Sequence, residues 1–365
     1  MHALPPIGST APPGRRGARR PSAAGEIAEA RPQRCRPWSD AYRAFVERFP
    51  FTRMMHSARC SGGAAGLPDR FDWWLPAEGN LAVGHRRLAD PRTVLAAPAN
   101  LRPLLEAAER TFDPWRANRT VVFAGGDTPW LSTALGKYPQ DRNATLKRLR
   151  RYFQVILFEP MDALIEGIDI MPSGLAEEYL AMPVSNITMC IDQVRVWAKD
   201  RAILASWGQF NHLENPSRHR AEVWVTSDGG RRAQAWMVHI HPWGWWSQLA
   251  RFRFILMPAG SAIQCVKMIE ALLVLTIPIV SRDIYRDTRF ETRAFDELVA
   301  LGFPLVVVGR WDEIEPVWLD HKWHELSPRL ESFRDEVLST EGYWRLVARR
   351  RPGRGAGGAG GTGGT

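Results

Sequence analysis

The sequence predicts an α/β protein of two Rossmann-like doubly wound lobes with disordered tails, and three observations predict it. Residues 252–280 read as strand, glycine turn, helix and strand, the right-handed parallel unit from which doubly wound sheets are built. Short apolar runs recur along the middle of the chain with helical segments between them. At 365 residues and 45% hydrophobic content, the chain has enough apolar side chain for two cores.

The elements follow in chain order. Residues 1–37 are rich in Ala, Pro, Gly and Arg, and 349–365 in Gly and Arg; neither end can bury a core. From 38 to 100 the reading is poor, with Trp73, Trp74 and many Gly and Pro but no clear period. A helix is expected at 100–110. The strand at 120–123 is β-branched and aromatic and ends at Gly125, Gly126 and Asp127. A basic helix at 143–152 precedes apolar strands at 154–158 and 168–171, the second running into Pro172, Ser173 and Gly174. A second unit starts with the strand 201–206, ends at Trp207 and Gly208, and is followed by a polar segment with Arg218 and Arg220. Residues 249–280 continue it, 305–308 form its last strand, and the helix around Tyr343 and Trp344 is placed to pack back across the first unit. These boundaries give a tail at 1–37, a first α/β lobe at 38–195, a second α/β lobe at 196–348 and a tail at 349–365. There is no internal repeat.

The net charge of +9 suggests nucleic acid until it is located. Residues 1–48 carry nine Arg against four acids, and 349–365 carry four Arg and no acids, which accounts for the whole excess. A neutral middle with basic ends is not a phosphate-backbone binding face, so no nucleic-acid partner is expected; arginine tails binding RNA are the weaker third reading. The four cysteines, Cys35, Cys60, Cys190 and Cys265, show no metal spacing, while a Cys35–Cys60 disulfide stays open. Cys265 is expected inside the 262–273 helix as a small buried residue. No signal peptide, transmembrane segment or anchor is visible, and the longest apolar run, 269–280, is about half of what a bilayer needs. Three sequons, at Asn118, Asn143 and Asn186, fit a secreted chain and also arise by chance.

The 252–280 unit carries the chemistry. A nucleotide diphosphate needs close backbone amides, and Gly260 with a helix starting at Ser261 offers amides and a favourable dipole. Lys267 and Glu270 are three apart on one helix face, where a cation meets phosphate and a carboxylate accepts ribose hydroxyl protons. The plainer reading is a surface ion pair on a crossover helix. His212, Arg218 and Arg220 sit where they reach phosphate or are solvated loop residues. Trp243, Trp245 and Trp246 either stack on a sugar or base or pack under a loop.

Residues Pro258-Ala-Gly260-Ser-Ala-Ile-Gln264-Cys-Val-Lys267-Met-Ile-Glu270-Ala-Leu272, followed by Ile277-Pro-Ile-Val280, resemble the nucleotide-sugar half of exostosin-type glycosyltransferases. There a strand ending in P-x-G-x-G leads to a helix carrying D, H, R and W-E-A-L. Further matches follow in order: Phe295-Asp-Glu-Leu298, Pro304-Leu-Val-Val-Val308, Trp311-Asp-Glu-Ile314 and Tyr343-Trp344. Upstream, Ile203-Leu-Ala-Ser-Trp207-Gly208 and Arg218 to Arg220 are similar to the segments that open this half. The resemblance covers 200–345 and is weaker over 100–175. The chain departs from the pattern where the second glycine is Ala262, the aspartate Gln264, the histidine Val266, the arginine Lys267 and the tryptophan Ile269. Lys267 keeps the charge without the planar fork.

The resemblance implies a GT-B-like fold and transfer of a sugar from a nucleotide diphosphate sugar to a hydroxyl of a glycan or glycoprotein, inverting and metal-independent, in the Golgi or secretory pathway. It implies no cofactor beyond the donor substrate, and donor contacts at Gly208, Arg218, Arg220, Gly260, Ser261, Gln264, Lys267 and Glu270. Inversion needs a general base, for which Asp127 is the candidate at a strand end, its alternative role being a helix cap. No carboxylate pair of DxD type is evident, so no metal is expected. The alternative is a catalytically degenerate lobe that binds nucleotide or glycan without turnover, which the departures favour. Membrane association is open, without a visible anchor.

Overall fold

The structure, a computed structural model, describes residues 38–53, 65–76, 85–126, 131–136, 138–207, 216–260, 262–283 and 292–349. Its strands are β1 (Phe51–Arg53), β2 (Trp73–Leu75), β3 (His85–Arg86), β4 (Thr93–Ala96), β5 (Thr120–Phe123), β6 (Val155–Phe158), β7 (Asp169–Ile170), β8 (Leu175–Ala176), β9 (Arg201–Ala205), β10 (Ala235–Met237), β11 (Phe252–Leu256), β12 (Ile277–Ser281) and β13 (Val306–Val308).

The first lobe is a six-stranded sheet in the order β3-β2-β4-β5-β6-β7, parallel except for β3 at its edge. Thr-Val-Val-Phe and Val-Ile-Leu-Phe in β5 and β6 are buried throughout, as a parallel sheet covered on both faces requires. The helix Leu101–Thr111 buries Leu101, Leu104, Leu105 and Ala108, one stripe at helical spacing. At the N-terminal edge of this sheet the fully buried Arg119 ties three segments together: Nε donates to Pro91 O (2.8 Å), Nη1 to Tyr152 O (3.0 Å) and Nη2 to Asp90 Oδ1 (2.6 Å).

The second lobe is a parallel sheet in the order β10-β9-β11-β12-β13. Counted along the chain that order is second, first, third, fourth, fifth, so it reverses between β9 and β11, as in doubly wound sheets. The helix Pro216–Thr226 leads from β9 towards β10, and Val266–Leu273 joins β11 to β12.

Several contacts tie the two sheets' surroundings together. β1 pairs in parallel with β8. The C-terminal helix Thr340–Arg349 returns to the first lobe as expected: Tyr343 donates to Ser173 O (2.7 Å), Thr340 to Phe49 O (3.0 Å), and Trp344 meets Phe71 edge-on at 5.2 Å. Among the described residues no helix is long and apolar enough to cross a membrane.

The expected strands at 120–123, 154–158, 168–171, 201–206 and 305–308 are present within one or two residues of those bounds. Six strands were illegible: β1, β2, β3, β4, β8 and β10. β2 and β4 are three and four residues long and buried on both sides, so they show no alternation. β10 is an edge strand whose Trp236 and Met237 are exposed, a pattern that resembles a loop. The helix expected from 261 or 262 begins instead at Val266, with Cys265 extended as its N-cap rather than inside it. Residues 1–37 with Cys35, 350–365, and 54–64 with Cys60 lie outside the described residues.

Candidate functional site

In an open α/β sheet a ligand crevice forms outside the carboxyl ends of the strands where their order reverses. Here that point lies between β9 and β11. The turn after β11, Met257 to Gly260, is held by the helix after β9, Ala259 N–H donating to Ser217 Oγ at 3.1 Å. Arg218, half-buried, lies over the same turn: a Cβ added to Gly260 would sit 3.1 Å from its Nη2. Only a residue without a side chain leaves the guanidinium there undisturbed. Burial lowers the pKa of Arg218, so its charge sits in a poorly hydrated place.

Lys267 is the second residue of the helix Val266–Leu273, at the positive end of the dipole, where a cation is disfavoured unless an anion accompanies it. Its Nζ donates to Ser206 O at the end of β9 (3.3 Å) and lies 4.4 Å from the Trp245 ring centroid. One turn along, Glu270 is 2% exposed. Trp245 Nε1 donates to Glu270 Oε2 at 2.7 Å, and Oε1 makes no hydrogen bond with any described residue. Burial raises the Glu270 pKa from 4.5 to about 7, against the smaller opposing pull of Lys267 and the indole. Lys267 and Glu270 are thus not a surface ion pair.

The other expected donor residues divide. Gln264 is buried and faces the first lobe: Nε2 donates to Glu159 O (2.8 Å) and Met171 O (3.0 Å), and Oε1 accepts from Ser173 N–H (2.9 Å). That corrects its expected donor contact, because the amide is committed to main chain across the lobes. Arg220 pairs with Asp283 after β12, so its charge is compensated within the protein. The Gly260 amide donates to Ala262 O at 3.2 Å and does not point outward as expected. Gly208, His212, Ser261 and Asp127 lie outside the described residues. Of the tryptophan cluster, Trp245 and Trp246 are buried and Trp243 is 60% exposed.

Sequence reasoning missed Glu159 and Arg53 on the first lobe. Both are buried, Glu159 directly after β6 and Arg53 as the last residue of β1, with Arg53 Nη2 3.5 Å from Glu159 Oε1. Glu159 Oε2 accepts the Gly125 N–H at 2.8 Å and so anchors the turn that leads to Asp127. Gly125 has φ +97°, and a Cβ there would lie 2.8 Å from Thr52 O, so glycine is required on two counts. An acid directly after the apolar run of β6 was the available signal for Glu159. Among the described residues no group of three or more His, Cys, Asp or Glu is arranged to hold a metal.

Around the point where the second sheet reverses its order there are thus two cations, a helix N-terminus and a buried carboxylate whose second oxygen makes no hydrogen bond with the described residues. Such a set can neutralise an anionic group and accept hydrogen bonds from hydroxyls. No protein-family model and no curated protein matches the chain. Among solved structures, the crystal structure of Anabaena Alr3699/HepE in complex with UDP-glucose is similar with a TM-score of 0.37 and 10% sequence identity, over 71% of this chain and 78% of that chain. A likeness at that level transfers neither residues nor activity. The chain itself is an α/β protein with two doubly wound sheets, the first parallel except at its β3 edge and the second parallel throughout, and the strand order of the second reverses between β9 and β11.

Proposed function

We propose that this protein is an exostosin-like glycosyltransferase of GT-B architecture. It moves a hexose or pentose from a nucleotide diphosphate sugar to a hydroxyl of a glycan or glycoprotein, with inversion and without a metal. The observation that carries the proposal is the placement of Arg218 on the helix after β9 and of Lys267 and Glu270 on the helix after β11, the two strands between which the sheet order reverses. Residues 196–348 then bind the donor and 38–195 the acceptor. Glu270 Oε1 accepts from the ribose hydroxyls. Arg218, Lys267 and the first turn of the helix Val266–Leu273 offset the charge that develops on the leaving diphosphate. Trp243 offers an exposed ring for stacking.

On the acceptor side the proposed base is Asp127, two residues beyond the Gly125 amide that Glu159 holds. It takes the acceptor hydroxyl proton as the oxygen attacks the anomeric carbon, and the diphosphate leaves with the electrons of the bond that breaks. We infer the secretory pathway for this reaction from the resemblance to exostosin-type enzymes alone. The second reading, a lobe that binds nucleotide or glycan without turnover, is favoured by Gln264 and Arg220, whose polar groups are engaged within the protein.

A panel of UDP and GDP sugars, followed by hydrolysis, transfer and melting temperature, tests the proposal. The enzyme reading expects turnover that Glu270→Ala lowers by at least about tenfold. A nucleotide that raises the melting temperature with no turnover on any acceptor selects the binding reading. If no nucleotide moves the melting temperature or turns over, both are wrong.

A further inference from the structure

Trp245 lies outside the helix that carries Lys267 and Glu270, yet it touches both. It belongs to the short helix Trp245–Leu249 that precedes β11. Its ring is 7% exposed, its N–H points at Glu270 Oε2 (2.7 Å), and the Lys267 ammonium lies 4.4 Å from its ring centroid. One indole therefore uses its edge for an anion and its face for a cation, which is how the indole charge distribution favours them. Lys267 is held a second time by Ser206 O at the end of β9. Neither charged side chain is free to swing independently, because each is tied to the same rigid ring.

We propose that Trp245 is the positioning residue of the nucleotide-sugar site, holding Glu270 with Oε1 towards the ligand and Lys267 against the end of β9, so that carboxylate and ammonium are presented at a fixed separation. The inference rests on the nucleotide-sugar reading for its ligand. The Trp245–Glu270–Lys267 arrangement itself can be measured without one.

The groups around Glu270 make the readout specific. The strands packed on its helix, β8 and β12, carry no charged side chain. The helix Leu330–Glu336, also packed on it, brings Arg334, which is held by Asp335 and Ile191 O, with Glu331 and Glu336 exposed. Lys267 is the charged group that acts on Glu270, and the Trp245 N–H is the donor that favours its ionised form.

Two measurements test the proposal. In the first, the indole N–H resonance of Trp245, assigned by its absence from Trp245→Phe, is followed with pH. It is expected to shift with a midpoint near 7 in the wild type and to stay flat in Glu270→Gln; a resonance that is flat in the wild type overturns the inference. In the second, UDP binding is measured from pH 6 to 9 in wild type, Trp245→Phe and Trp245→Leu. Trp245→Phe keeps the ring face and loses the donor, so the pH at which binding appears moves up by about one pH unit. At pH 7 affinity falls about three- to tenfold and recovers by pH 9. Trp245→Leu also releases Lys267, and its loss persists at pH 9. A Trp245→Phe profile identical to wild type, or an equal loss at every pH, refutes the positioning role. If wild type binds no UDP or GDP while the resonance titrates as described, the nucleotide reading fails and the coupling stands.

Discussion

Replacing Gln264 with leucine tests whether the two lobes are fastened beside the crevice. The side chain makes three hydrogen bonds of 2.8–3.0 Å to buried main chain of the first lobe: Glu159 O, Met171 O and Ser173 N–H. Leucine fills much of the volume and leaves all three groups without that partner. An abandoned buried donor or acceptor costs about 1–3 kcal/mol. Glu159 O keeps the Met161 N–H (2.8 Å) and lies at the low end of that range, and the added apolar surface returns about 1 kcal/mol. The net expectation is a loss of about 2–5 kcal/mol, a large part of the ~5–15 kcal/mol that separates folded from unfolded domains. Because the bonds run between lobes, the loss also weakens their cooperation. Equilibrium urea unfolding, followed by far-UV circular dichroism and by tryptophan fluorescence, should give coincident transitions in the wild type and separated ones in Gln264→Leu. A change below about 1 kcal/mol with coincident transitions would refute the reasoning, because water would then be serving those groups as well as the amide does.

Two further outcomes follow from buried charges. Arg119→Ala removes a guanidinium that joins Pro91, Tyr152 and Asp90, and should lower stability by about 3–5 kcal/mol in urea unfolding; a loss under 1 kcal/mol would mean that the N-terminal edge of the sheet is held by other contacts. Lys199 is buried, donates to Val274 O and Thr276 Oγ1, and has its pKa lowered well below the usual lysine value by burial. The unfolded chain therefore binds more protons between the folded and unfolded values, so stability should rise with pH across that window up to about 10.4. Lys199→Met should flatten that rise, read as wild-type and variant stability at pH 7 and pH 9.5, and a rise that persists in the variant would assign it to another group.

Much of the architecture was legible because parallel strands covered on both faces read as short apolar runs, as in Val121 to Phe123 and Val155 to Phe158. Lys267 and Glu270 were legible as neighbours because three residues on a helix is a local distance. What escaped the sequence depends on partners far along the chain. The indole that engages Glu270 lies 25 residues before it. Gln264 is separated by 91 to 105 residues from the groups that it binds, and nothing in its own segment says which lobe it faces. This position also gives one departure from the exostosin-type pattern a physical meaning. The pattern has aspartate there, and two of the three groups that meet the side chain are carbonyl oxygens, Glu159 O and Met171 O. A carboxylate of any length would set negative charge against those oxygens, whereas an amide offers two N–H donors to them and one oxygen to the Ser173 N–H. Glutamine is thus the residue that the interlobe contact selects. With its N–H groups donated to main chain, Gln264 has none left for an anionic ligand, so the proposed donor site rests on Arg218, Lys267 and Glu270.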